Sequence, residues 1–296
     1  MPSIRQTLAA SVLLVLPHTA QAVPVVFTAA GPDAASIQDE VDAFRAALGA
    51  LNPFVPQNFS GGRRQINWDA APDTISDPNP FPGDFFNFNA DPRARGIEFR
   101  PSTNPDAGQP EDIATGFQLS STEDSGVPVR FGLDTLNVFS EERLFAPTGG
   151  TIFDVVFFDP ADQVTQAKTQ GLGIVFTNVS DLSGLTNGTI PSDAAVSFFT
   201  EGQNIATDQP SLIEFAPASG PGGLSFLGVL FDEPQLIGAT VLAGFNPIDT
   251  ALTGDGVVAL DDFIFGEPTP VPLPPAALLL LTALAGSGLV LRRRAG

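Results

Sequence analysis

Leu224-Ser225-Phe226-Leu227-Gly228-Val229-Leu230-Phe231, entered from Gly220-Pro221-Gly222-Gly223, decides the fold class. The glycine-proline cluster reads as a hairpin turn, and the apolar run after it reads as a strand. The same alternation of strand-like run and turn residues recurs at 116–119, 129–133, 151–158, 172–177, 195–200, 212–215, 237–242 and 257–265. Residues 52–112 are rich in Pro, Asn, Asp and Gly, and only short extended pieces interrupt them at 64–68, 85–88 and 96–99. Short strands at this spacing predict a mainly β fold, an antiparallel β-sandwich of jelly-roll type. The 25 phenylalanines supply most of its core. One N-terminal helix is predicted over 36–48, with Ser36 as N-cap and Gly49 as stop. Its apolar stripe is Ile37, Val41, Phe44 and Leu48, the spacing of a helix that caps a core.

Both ends of the chain carry addresses. Arg5 precedes an apolar stretch at 8–16, and Ala20-Gln21-Ala22 forms a small-x-small cleavage site. A signal peptide over 1–22 is expected, with the mature chain starting at Val23. At the other end, Val271-Pro272-Leu273-Pro274-Pro275 leads into an apolar run at 276–291 and then Arg292-Arg293-Arg294. Proline blocks backward extension of a helix, so the run reads as a C-terminal hydrophobic helix with a basic stop. Its sixteen residues fall short of the roughly 20 that span a bilayer, and the arginines are expected on the cytoplasmic side. Glu267-Pro268-Thr269-Pro270 reads as an extended spacer before it. The expected division is a signal peptide at 1–22, one domain at 23–268, and spacer plus sorting segment at 269–296.

The tail resembles the VPLPA variant of the PEP-CTERM sorting signal of exported bacterial proteins, with Pro275 where that variant usually has Ala. The resemblance implies an exosortase-type enzyme and the export machinery as partners. It also implies an inner-membrane-anchored intermediate, a final place at the cell surface or in the extracellular matrix, and company with exopolysaccharide. Segments 43–49, 62–69, 143–147, 222–229 and 261–268 resemble uncharacterised exported proteins that often carry such tails, a group that offers no activity to carry over.

Composition narrows the chemistry. Nine basic residues between the two signals face all 33 acidic ones, a body charge of −24. Such a surface repels phosphate backbones, so no nucleic-acid partner is expected. The chain has no Cys, and its one His, His18, lies in the predicted signal peptide. The usual partners of Ser-His-Asp, Cys-His and zinc chemistry are therefore missing from the mature chain.

Three features invite a site. Arg63, Asn67, Trp68 and Asp69 could form a ligand platform, with Trp68 stacking on a sugar. Strand alternation instead puts Arg64, Ile66 and Trp68 on one face, with Ile66 and Trp68 as core and Arg64 at its edge. The second is a calcium loop around Thr253-Gly254-Asp255-Gly256, which lacks two primary EF-hand ligands and is rejected as an EF-hand. A structural Ca²⁺ at Asp261 or Asp262, which end a terminal strand, is the remaining metal candidate. Neighbours on a strand face opposite ways, so at most one of the two is expected in a given site. Finally, glycoside hydrolysis needs two carboxyls roughly 5–9.5 Å apart. Adjacent pairs such as Glu141-Glu142 and Asp261-Asp262 do not supply this by themselves. The sequence thus predicts a non-enzymatic, surface-sorted β-sandwich associated with exopolysaccharide or matrix. The alternatives are a carbohydrate-binding module with structural calcium and, more distantly, a polysaccharide hydrolase using paired carboxylates.

Overall fold

In a computed structural model of the chain, residues 23–104, 108–120, 131, 133, 136–249 and 256–271 are described. The predicted signal peptide, with Ala20 and Ala22, lies outside them. So do Pro272, Leu273 and Pro274 of the sorting motif, the hydrophobic run and Arg292 to Arg294. Among the described residues, no helix is long and apolar enough to cross a membrane.

The fold is mainly β, with antiparallel sheets and one α-helix. In chain order the elements are β1 (Val25–Gly31), α1 (Ala34–Leu48), β2 (Arg63–Ile66), β3 (Ile97–Pro101), β4 (Gly116–Leu119), β5 (Phe145–Thr148) and β6 (Ile152–Phe157). They continue with β7 (Ala167–Lys168), β8 (Gly171–Thr177), β9 (Ala194–Thr200), β10 (Leu212–Phe215), β11 (Leu224–Leu230), β12 (Leu236–Ala243), β13 (Ala259–Gly266) and β14 (Thr269–Pro270). A seven-stranded sheet runs β1-β11-β8-β13-β5-β4, with β2 also on β13. A five-stranded sheet runs β10-β9-β12-β6-β3, and β14 pairs with β7.

Alternate side chains from both larger sheets meet in one apolar cluster. Phe153, Val155 and Phe157 of β6 and Val196 and Phe198 of β9 join Leu172, Ile174, Phe176, Phe263 and Phe265 of the other sheet. The segment at 220–223 does not close a hairpin, because β10 and β11 belong to different sheets. Its backbone is instead tied to Asn178, which accepts from Gly222 N–H at 2.8 Å and donates its own N–H to Gly223 at 2.8 Å.

The helix lies against the seven-stranded sheet. Ile37, Val41, Phe44 and Leu48 are its buried stripe, as the spacing predicts. The N-cap is Asp33, not Ser36: its carboxylate accepts the Ser36 N–H at 3.0 Å and the Ser36 hydroxyl at 2.7 Å, starting the helix earlier. Phe44 sits over Gly173 and Gly228, which face each other on β8 and β11. A Cβ on Gly173 would lie 2.6 Å from the Phe44 ring, and one on Gly228 would lie 3.0 Å from it. The two glycines form the hole that seats the helix.

Trp68 is 0 % exposed and closes the other end of the core. It stacks on Phe145 at 4.5 Å with rings 2° apart and meets Phe81, Phe86 and Phe263 edge-on. Phe81, Phe85 and Phe86 come from the Pro- and Asn-rich segment, so that loop is part of the core. Segment 85–88, expected as extended, is irregular: a turn at 85–86 followed by an isolated bridge from Asn87 to Ala94.

Arg64 is not at the core's edge. It is fully buried, with Nε 2.7 Å and Nη2 2.8 Å from the Glu267 carboxylate, and it also donates to the carbonyls of Ala94 and Gln57. Removing one partner of such a pair strands a charge in low dielectric. Glu267→Ala is expected to lower unfolding free energy by about 3–5 kcal/mol in urea titration, while Arg64→Met with Glu267→Leu loses clearly less.

Candidate functional site

The outward side of the five-stranded sheet carries an unusual row. In β6, β9 and β12 the side chains between the core positions point away from the core, and register aligns them across all five strands. Ile213 faces Ser197, Ser197 faces Thr240, Thr240 faces Asp154 and Asp154 faces Arg100. One apolar row lies beside it, formed by Phe215, Ala195, Leu242 and Ile152. A polar centre thus crosses this face, with Glu98 of β3 also on it, opposite Val156.

Two hollows lie along this row. One of about 310 Å³ is bordered by Ser197, Thr240, Ile213, Phe215, Phe245 and Asn104. The other, about 460 Å³, is bordered by Asp154, Arg100, Thr103, Gln203, Asn204 and Ile205. Each volume suits a small ligand or part of a longer one. At their border Asn104, which lines the smaller hollow, donates from Nδ2 to the Asp208 carbonyl at 3.3 Å. Ile205, which lines the larger, packs on Phe199, Ile237 and Val156. Gly238 makes the room: a Cβ there would lie 2.5 Å from Ile205 Cδ1.

Asp154 is the chemical focus. It is 3 % exposed, and it accepts from the Thr240 hydroxyl at 2.7 Å and from the Thr103 N–H at 3.2 Å. Burial pushes its carboxyl up; bonds from Thr240, Thr103 and Ser102 and the Arg100 charge oppose that rise. Arg100 itself is engaged by Glu98, with Nε 2.7 Å from the carboxylate. Phe245, 56 % exposed, adds a free aromatic face at the rim of the smaller hollow. The sequence reading did not single out these residues. Their signal was a lone polar residue inside each of three apolar strands: Asp154, Ser197 and Thr240.

The expected ligand platform does not assemble. Trp68 is in the core, and its Nε1 donates to the Asp261 carbonyl at 2.5 Å, so no sugar can stack on it. Arg63 turns to the Gly49 carbonyl at the end of α1. Asn67 donates to Asp69 at 2.5 Å, and Asp69 also accepts the Glu142 N–H at 3.0 Å. Asp69 borders a separate hollow of about 400 Å³ with Glu141, Glu142 and Arg143.

Asp261 and Asp262 are both buried, and both reach one site, against the expectation that alternation would part them. The cause is a β-bulge. Leu260 pairs with Phe176 and Phe263 with Ile174, so the two aspartates together oppose Val175. Ser140 Oγ lies 3.0 Å from Asp261 Oδ1 and 2.6 Å from Asp262 Oδ1. Asp261 also accepts the Phe139 N–H at 2.6 Å and the Ser140 N–H at 3.2 Å, and Arg45 donates to Asp262 at 2.8 Å. Burial, then the Asp262 charge, raises the Asp261 carboxyl well above the ordinary range. Asp262 is raised less, since Ser140 and Arg45 favour its charged form. The arrangement sets Asp261, whose carboxyl is pushed toward its protonated form, beside Asp262, which is paired with Arg45. Among the described residues no three carboxylate or imidazole groups converge as a metal site.

Comparison with protein-family models, curated proteins and solved structures finds no match to this chain.

The pair predicts a pH dependence. The folded state holds a proton on Asp261 that the unfolded chain releases at an ordinary carboxylate value, so this contribution favours folding at low pH and is lost as pH rises through the raised value. Asn at 261 imitates the protonated acid, keeping one acceptor for the two N–H groups and a donor for Ser140 or Asp262. Melting temperatures from about pH 4 to pH 8 should fall less in Asp261→Asn than in the wild type. Parallel curves would show that the pair is not protonated.

Proposed function

We propose that this chain is an exported, surface-sorted, non-enzymatic protein that associates with exopolysaccharide through the outer face of its five-stranded sheet. The carrying observation is the row Ile213, Ser197, Thr240, Asp154 and Arg100, which crosses the strands with an apolar row beside it. A polysaccharide offers the complement: ring faces that pack on Phe245, Phe215 and Ile213, and hydroxyl edges that bond Ser197, Thr240 and Asp154. The many acidic groups of the body suit a neutral or cation-bridged glycan better than a polyanion.

Successive strands β8 to β13 change sheets repeatedly, and the two inward faces share one core. That pattern supports a single jelly-roll-like β-sandwich over 23–268. The leader at 1–22 and the tail at 269–296 support export, an inner-membrane intermediate handled by an exosortase-type enzyme, and final placement at the surface or in the matrix. The non-enzymatic reading is supported by the face itself, since among the described residues Asp154 is the one carboxylate bordering either hollow. A glycosidase needs a second one across the bond. The structural-calcium alternative has less support, because Asp261 and Asp262 already have Arg45, Ser140 and backbone donors.

Affinity electrophoresis of the full-length protein through gels containing exopolysaccharide tests the reading. The wild type should be retarded without releasing reducing ends. Phe245→Ala should weaken retention by about five- to tenfold, the worth of one aromatic contact. Unretarded migration of the wild type would reject the groove and leave a matrix role without a glycan face. Reducing-end release abolished by Asp154→Asn would instead make the protein a hydrolase.

A further inference from the structure

An open sheet edge presents a row of unpaired N–H and C=O groups, which proteins normally cover, charge or shorten. The edges at β4, β3 and β10 of the two larger sheets are managed in this way. Along β4, Phe81 and Asp77 donate their N–H groups to the carbonyls of Phe117 and Leu119, each at 2.8 Å. On β3, the Phe99 N–H donates to the Gly83 carbonyl at 2.9 Å, and the strand carries Glu98 and Arg100. β10 has four residues, includes Glu214 and lies between Pro210 and Pro217.

β1, although Pro24 and Pro32 border its ends, is neither covered along its length by a described segment nor interrupted by a charge. It is seven residues long, runs in unbroken register with β11, and contains neither charge nor proline. Val25 and Val26 on it are 50 % and 39 % exposed. Among the described residues its backbone pairs with β11 alone. The uncharged stretch from Val23 to Gly31 also belongs to a body of charge −24, where it is a strip along which two copies approach with little repulsion.

We infer that β1 is an assembly edge: it pairs antiparallel with β1 of a second copy about a two-fold axis near Thr28, joining two seven-stranded sheets into one. An antiparallel edge is self-complementary under such an axis, so the interface closes at the dimer. The axis stands perpendicular to the sheet and leaves equivalent faces on the same side. Both five-stranded sheets then turn their outer faces in one direction. If those faces bind glycan as proposed above, a polymer could engage both copies at once and gain avidity. The pairing itself does not rest on that reading.

The chain has no cysteine, so one introduced thiol reports on this axis without ambiguity. In the full-length protein under mild oxidation, Thr28→Cys should give a disulfide-linked dimer. Ser183→Cys, on an exposed loop, should give none. Light scattering of the wild type should give twice the chain mass. Thr28→Lys, which sets like charges opposite each other, should raise the dimer dissociation constant on the order of tenfold. A wild type of single-chain mass would overturn the inference. So would a dimer that Thr28→Lys leaves intact, or equal cross-linking from both cysteines.

Discussion

The bond from the Trp68 indole to the Asp261 carbonyl, 2.5 Å long, is the constraint on which the molecule's least regular features depend. A bulge leaves its extra residue without a full set of ladder partners, and a buried carbonyl without a donor costs about 1–3 kcal/mol. Trp68 supplies the donor. Its own backbone pays with a left-handed φ of 67°, rare for a bulky residue, held in place by the stack on Phe145 and the edge contacts around it. With the bulge fixed, Asp261 and Asp262 both face Ser140, and Asp262 reaches Arg45 on the helix. Thus a core tryptophan, a strand irregularity and the docking of α1 form one connected device.

A second buried polar centre stands beside it. Arg64 and Glu267 link the start of the irregular segment to the end of β13, and Asn52 joins by donating to Glu267 at 2.9 Å. Neighbouring Arg95 is held by the Gln65 carbonyl at 2.6 Å and stacks on Phe54 and Phe86. Burial, with the Arg64 charge next to it, lowers the Arg95 guanidinium to about 9. Arg64 and Arg95 donate to this segment's carbonyls at Gln57, Ala94 and Pro92, adding polar ties to the core contacts of Phe81, Phe85 and Phe86.

What the sequence revealed follows from periodicity. The stripe Ile37, Val41, Phe44 and Leu48 and the runs that became β4, β6, β8 to β13 were legible because local spacing and core position agree. β1 and β5 were not. Val25–Gly31 adjoins the predicted cleavage site and ends in small residues, while Phe145–Thr148 is short and contains Pro147. Arg64 was placed at the edge because its burial depends on Glu267, more than two hundred residues away. The convergence of Asp261 and Asp262 was hidden for the same kind of reason: a bulge is a property of two paired strands and leaves no mark in either one alone. Asp154, Ser197 and Thr240 were visible one by one. Only the register turns them into a row.

That row is hard to explain as a requirement of folding. Asp154 is desolvated and its carboxyl is raised by burial, although hydroxyls, one N–H and the nearby Arg100 charge oppose that rise. Keeping a carboxyl there costs stability at neutral pH, because the folded state disfavours the charged form that the unfolded chain adopts freely. The buried acids at the bulge differ, since Arg45 on the helix gives one of them a structural return. Asp154 shares its face with two hollows and an exposed phenylalanine. In the glycan reading proposed above, a ligand hydroxyl would add a donor to those of Thr240, Thr103 and Ser102, and the apolar row beside Asp154 would be the surface on which the sugar ring lies.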